Sequence, residues 1–165
     1  MVLVIVVVVV GLVFGLYYVF YHYYGTPPPA KTTVAFGPAS LSTGKNGGSY
    51  ENFTLSLSQN VSTNNAAFKI VSPSGAMPTS ISADSVPCGA TVTSCPASAG
   101  GWYAVLADPS GLVLNLWGEE GWTQTAIIQT ADLFVVVSSS SLAGTGNVLS
   151  IYNVAGPSIS GSTSL

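Results

Sequence analysis

Charge is the scarcest commodity in this chain. Only 5% of the 165 residues are Asp, Glu, Lys or Arg, against roughly 25% in soluble domains. There is no arginine, and the lysines are Lys31, Lys45 and Lys69. A nucleic-acid surface needs many cations to neutralise phosphates, so three scattered lysines argue strongly against one. The single histidine, His22, lies in an apolar stretch, which leaves no base beside a Ser or Cys nucleophile and no His pair for a blue-copper centre. Two cysteines alone make an incomplete zinc site. Glu119 and Glu120 are adjacent between glycines and read as a solvated turn, not as the two separated carboxylates of a glycosidase. No phosphate-binding glycine motif occurs; Gly144-Thr-Gly146 reads as a turn between strands. The chain is therefore expected to carry no catalytic residue, no cofactor and no metal.

The apolar residues are unevenly spread. Of the first 24 residues, 21 are apolar or aromatic, and none is acidic or basic. As a helix at 1.5 Å per residue, Met1 to Tyr24 would run roughly 36 Å, enough for a hydrocarbon layer of about 30 Å. The Tyr-rich end from Tyr17 to Tyr24 has the makeup of an interfacial aromatic belt. A cleavable secretory signal is the poorer reading, because a basic start and a small-x-small cleavage site are both missing. Gly11 and Gly15 form a G-x-x-x-G pair of the kind that allows close helix approach. Helical spacing aligns them with Tyr18 and His22. The absence of a base before Lys31 suggests that a basic leader has been removed and that this is the mature form.

Gly25-Thr-Pro-Pro-Pro-Ala follows. Consecutive prolines stop a helix and favour a stiff extended spacer, so residues 25–31 are expected to be a hinge. From Lys31 onward, short alternating or apolar runs recur between Gly, Pro, Asn and Ser, with no helical period. Candidate strands are Thr32–Leu41, the alternating Phe53/Leu55/Leu57 segment, Ala66–Val71, Trp102–Ala107, Leu112–Trp117, Trp122–Gln129, Leu133–Val137, Val148–Val154 and Ser158–Leu165. Asp108-Pro-Ser-Gly111 is the strongest hairpin signal. Short strands in such number, with turns between them, imply a sandwich or a partly open barrel. The expected class is α+β: one long N-terminal apolar helix over residues 1–24, then an all-β, immunoglobulin-like sandwich over residues 32–165. Trp102, Trp117, Trp122, Phe134 and Tyr152 are expected to pack in or at the edge of its core, a ligand-binding aromatic cluster being the minor reading.

Cys88 and Cys95 each neighbour a proline and close a short loop, which favours a disulfide over a metal site. Asn52-Phe-Thr and Asn60-Val-Ser are sequons able to accept N-glycans if the chain is exported. Asn52 falls on a candidate strand.

The charge-free apolar segment, short hinge and Ser/Thr-rich β-domain together resemble archaeal type IV pilins, the filament subunits of adhesion pili and archaella. Ile5 stands where the bacterial branch usually has Glu, which favours the archaeal one. The resemblance implies a membrane-inserted precursor, cleaved by a prepilin peptidase and polymerised by assembly machinery into an extracellular homopolymer. It places the core of that filament on Val2 to Tyr24, with Val2, Ile5, Val9, Gly11, Gly15, Tyr18 and His22 as assembly residues. Adhesion to surfaces is the expected role. The alternatives are a single-pass, membrane-anchored surface binding or envelope protein and, third, a viral structural protein.

Overall fold

A computed structural model describes residues 11–19, 21–22, 25, 30–43, 48–97, 100–142, 144–154 and 158–165. The chain divides into two compact units, Met1–Ala30 and Lys31–Leu165.

In the first unit, residues 11–19 form an α-helix, α1, and residues 21 and 22 are helical as well. The N–H of Gly25 still donates to the Tyr21 carbonyl at 3.1 Å. The expectation of one long apolar helix is corrected here. The described helix has nine residues, and among the described residues no helix is long and apolar enough to cross a membrane. Residues 1–10, which the longer helix required, lie outside the described residues, as do 26–29 of the expected hinge. The physical reason for the overreach is that hydropathy counts apolar residues without assigning their backbone. Valine, dominant in the first ten positions, is a mediocre helix former, and helices of this length draw most of their stability from packing.

The described residues of the second unit form twelve strands. They are β1 (Thr32–Phe36), β2 (Ser40–Thr43), β3 (Ser49–Leu57), β4 (Val61–Ser62), β5 (Ala66–Val71) and β6 (Trp102–Ala107). Then follow β7 (Val113–Gly118), β8 (Gly121–Trp122), β9 (Ile127–Ile128), β10 (Leu133–Ser138), β11 (Val148–Asn153) and β12 (Ile159–Ser164). Ten of them join in one sheet in the order β5-β11-β12-β1-β3-β10-β6-β7-β8, with β2 also on β3; β4 and β9 form a separate pair. The chain is mostly β, at 46% strand, and the sheet is nearly barrel-shaped. The immunoglobulin-like sandwich is thereby corrected too. Strand alternation marks faces but carries no pairing information, and the pairing of β1 runs the layers together. β1 is parallel to β12 on one side and antiparallel to β3 on the other. Gly161 makes the first contact feasible, since a Cβ there would lie 2.1 Å from the Val34 carbonyl oxygen.

Two sequence features explain the strand boundaries. The expected strand Thr32–Leu41 is two strands, β1 and β2, both lying on the same edge of β3. Gly37-Pro38 interrupts them, and the Gly37 N–H donates to Thr54 O at 2.8 Å. The expected strand Trp122–Gln129 also splits, into β8 and β9, because the buried Asn115 side chain captures the intervening backbone. Its Oδ1 accepts from Gln124 N at 3.2 Å and from the Thr123 hydroxyl at 3.0 Å, and its Nδ2 donates to Gln124 O. The Asp108 turn forms as expected. Asp108 Oδ1 accepts from Ser110 N at 2.8 Å, the Ser110 hydroxyl at 2.6 Å and Leu112 N at 3.0 Å, and Gly111 takes a φ of +87°, a conformation glycine adopts without steric cost. The Ser110 hydroxyl foremost, with the backbone N–H groups, holds the Asp108 carboxyl below the usual range.

The strands β6 and β10 read as unbroken apolar runs because both of their faces are covered. Trp102, Ala104, Leu106, Phe134 and Val136 face the barrel interior with Phe53, Leu55 and Phe68. Tyr103, Val105, Val135 and Val137 face outward into a second apolar cluster, roofed by the segment that links β5 to β6 through Ile81, Val92 and Cys95. Each large apolar side chain so buried contributes on the order of 1.5–3 kcal/mol.

Candidate functional site

Two places in the chain present features that the core does not consume. The first is α1. Leu12, Val13, Phe14, Leu16, Tyr17 and Tyr18 are 60% to 71% exposed. Val19 is 49% exposed and Tyr21 65%. A helix apolar on every side is ordinarily buried, so this one lacks a covering among the described residues of its own unit. Gly11 and Gly15 have nothing within 4 Å of a notional Cβ, and with Leu12, Leu16 and Val19 they line a shallow cavity of about 400 Å³. Tyr18 and His22 meet in a tilted ring contact with centroids 4.6 Å apart. Of the assembly residues expected from sequence, Gly11, Gly15 and Tyr18 lie on α1 and His22 is one of the two helical residues 21 and 22. Val2, Ile5 and Val9 lie outside the described residues.

The second place is the seam where the sheet nearly closes. Its terminal strands, β5 and β8, meet through side chains: Trp122 Nε1 donates to Ala66 O at 2.7 Å. Phe68 on β5 packs edge-on against Trp117 and Trp122, at 6.1 and 5.7 Å, and stacks on Phe134 at 4.0 Å. On the outside of the seam lie two adjoining cavities of about 370 and 360 Å³. Both are lined by Trp117, Glu119 and Tyr152. Tyr152 is 41% exposed, and Lys69 Nζ sits 5.5 Å from its ring centroid. The β7–β8 turn that carries Glu119 is pinned by a bond from Glu119 N to Ile81 O at 2.9 Å. The aromatic residues expected in the core divide accordingly. Trp102 and Phe134 are buried, Trp117 and Trp122 are half-buried at the seam, and Tyr152 faces solvent. Sequence spacing does not foretell this cleft, because β5 and β11 are paired strands and only sheet curvature brings β7, near the far end of the strand order, beside them.

The remaining sequence candidates have definite surroundings. Cys88 and Cys95 are bonded to each other, as their spacing suggested, and clamp the roof of the outer cluster. Buried tyrosines beneath hold that roof: Tyr50 OH donates to Cys95 O and Tyr103 OH to Pro96 O. Burial, with a lesser push from Tyr50, raises the Tyr103 phenol above its ordinary pKa. The two sequons differ. Asn52 Nδ2 donates to Ser40 O at 3.0 Å and to Ser42 Oγ at 3.2 Å across the β2–β3 ladder, whereas Asn60 is exposed between β3 and β4. Among the described residues no three of His, Cys, Asp and Glu come together as a metal site would require. No family model, curated protein or solved structure matches the chain.

Proposed function

We propose that this chain is the structural subunit of an extracellular filament that polymerises through its N-terminal apolar segment and serves attachment to surfaces. The observation that carries the reading is α1, which is apolar on every side and 49% to 71% exposed at Leu12–Leu16 and Tyr17–Val19 other than glycine. Contiguous apolar surface of this kind seeks a partner. Identical copies supply one without any charge, and small residues such as Gly11 and Gly15 permit close approach. A repeated contact between two different patches does not close on itself and so propagates as a helical fibre. The second unit, with a surface of hydroxyls and few charges, would then form the outside. Extracellular exposure is in keeping with the Cys88–Cys95 disulfide, a bond that persists in oxidising compartments.

Negative-stain microscopy of the full chain after detergent removal tests the reading. Fibres are expected, together with their loss in Gly11→Leu/Gly15→Leu and in a chain lacking Met1 to Tyr24, which should sediment as a monomer. Fibres that survive the truncation would overturn the role of the apolar segment. Protein that stays in lipid as separate molecules would favour a membrane-anchored surface protein instead.

A further inference from the structure

We propose that the seam cleft between β5, β7 and β11 is a binding site for a neutral oligosaccharide. This goes beyond the filament reading and stands whether or not the chain polymerises.

Three features of the cleft carry the inference. The first is shape. The two cavities, about 370 and 360 Å³, share Trp117, Glu119 and Tyr152 in their linings and so adjoin. Each is within the ordinary range of small-molecule sites, and two adjoining cavities suit successive rings of a chain better than one compact ligand. The second is the aromatic wall. Trp117 and Trp122 are wedged against Phe68 and one another, with the indoles 5.5 Å apart, and Trp122 is further fixed by its bond to Ala66 O. Their positions are thus set by the core, and Tyr152 on β11 lines both cavities with Trp117 and the second also with Trp122. Rigid aromatic groups with a polar tip give contact area at little entropic cost.

The third feature is the polar complement. Glu119 and Lys69 are exposed on the cleft's rim, the one able to accept and the other to donate, and Glu120 and Asn64 extend the rim along the second cavity. Pyranose rings have apolar C–H faces and an edge of hydroxyls that both donate and accept. A cleft with aromatic walls and mixed donors and acceptors matches both surfaces. A cationic ligand matches less well, because the Lys69 ammonium already stands beside Tyr152 on the rim and would repel it. An anionic one would meet two carboxylates.

Tryptophan fluorescence of the full chain, dispersed in a detergent without a sugar headgroup, reads the binding. The probes are cellohexaose, chitohexaose and α-mannohexaose, with a trimethylammonium-capped peptide as the cationic comparison. Saturable change with at least one hexaose is expected. It should weaken about tenfold in Tyr152→Ala, the scale of one lost aromatic contact, and also in Glu119→Gln, while Leu41→Ser on β2 leaves it unchanged. Both tested residues are exposed, so the variants keep the core. No response to any hexaose, a response untouched by both cleft variants, or a preference for the cationic peptide would each overturn the proposal.

Discussion

The indole N–H of Trp122 on β8 donates to the carbonyl of Ala66, the first residue of β5, at 2.7 Å. These residues stand at opposite ends of the ten-stranded sheet, so this one bond ties the ends of the barrel where no backbone ladder does. In Trp122→Phe the ring remains and the donor goes, leaving the Ala66 carbonyl to a half-buried site. A loss of about 1–3 kcal/mol is expected, seen as a lower denaturant midpoint with an unchanged slope.

Asp132 gives the fold a pH dependence whose sign follows from its burial. Burial, chiefly, raises its pKa above the ordinary 3.8, with Asp108 adding to the effect and the Gln129 N–H opposing it. The folded state therefore holds this proton more tightly than the unfolded one. Its contribution is most favourable below the ordinary carboxylate value and is lost as pH rises through the folded value. Asp132→Asn keeps an acceptor for Gln129 N, which now lies 2.8 Å from Oδ2. The stability of the variant relative to the wild type should therefore increase as pH rises through that window, then level off. A difference that is flat with pH in chemical denaturation would contradict the assignment.

Replacing both Cys88 and Cys95 by alanine opens a loop with a sequence separation of seven. Chain-entropy reasoning for so short a loop predicts a loss of about 2–3 kcal/mol. Because the bond clamps the roof over Tyr103 and Val135, hydrogen exchange should quicken most at β6 and β10. Faster exchange confined to β11 and β12 would place the effect elsewhere.

If the chain is exported from a host that attaches N-glycans, Asn60 is the expected acceptor. A glycan replaces one hydrogen on the amide nitrogen, and both hydrogens of Asn52 Nδ2 are committed to Ser40 and Ser42. Asn60→Gln should then remove the mass shift in intact-protein spectrometry and Asn52→Gln should leave it. Full occupancy at Asn52 in folded protein would require the β2–β3 ladder to open.

What the sequence determined by itself were the local choices. Alternation at Phe53, Leu55 and Leu57 marked the buried face of β3, Asp108 and Gly111 specified their turn, and two proline-flanked cysteines announced their bond. Each of these is decided by neighbours a few residues apart. The tertiary structure alone decided the rest. The length of the apolar helix was over-read because hydropathy does not assign a backbone. The class was over-read because pairing β1 to both β12 and β3 is a contact between distant parts of the chain. The seam follows from the same cause. Phe68, Trp117 and Tyr152 are far apart in sequence, and only the curvature that brings β5 beside β7 and β8 turns three unremarkable aromatic residues into one cleft.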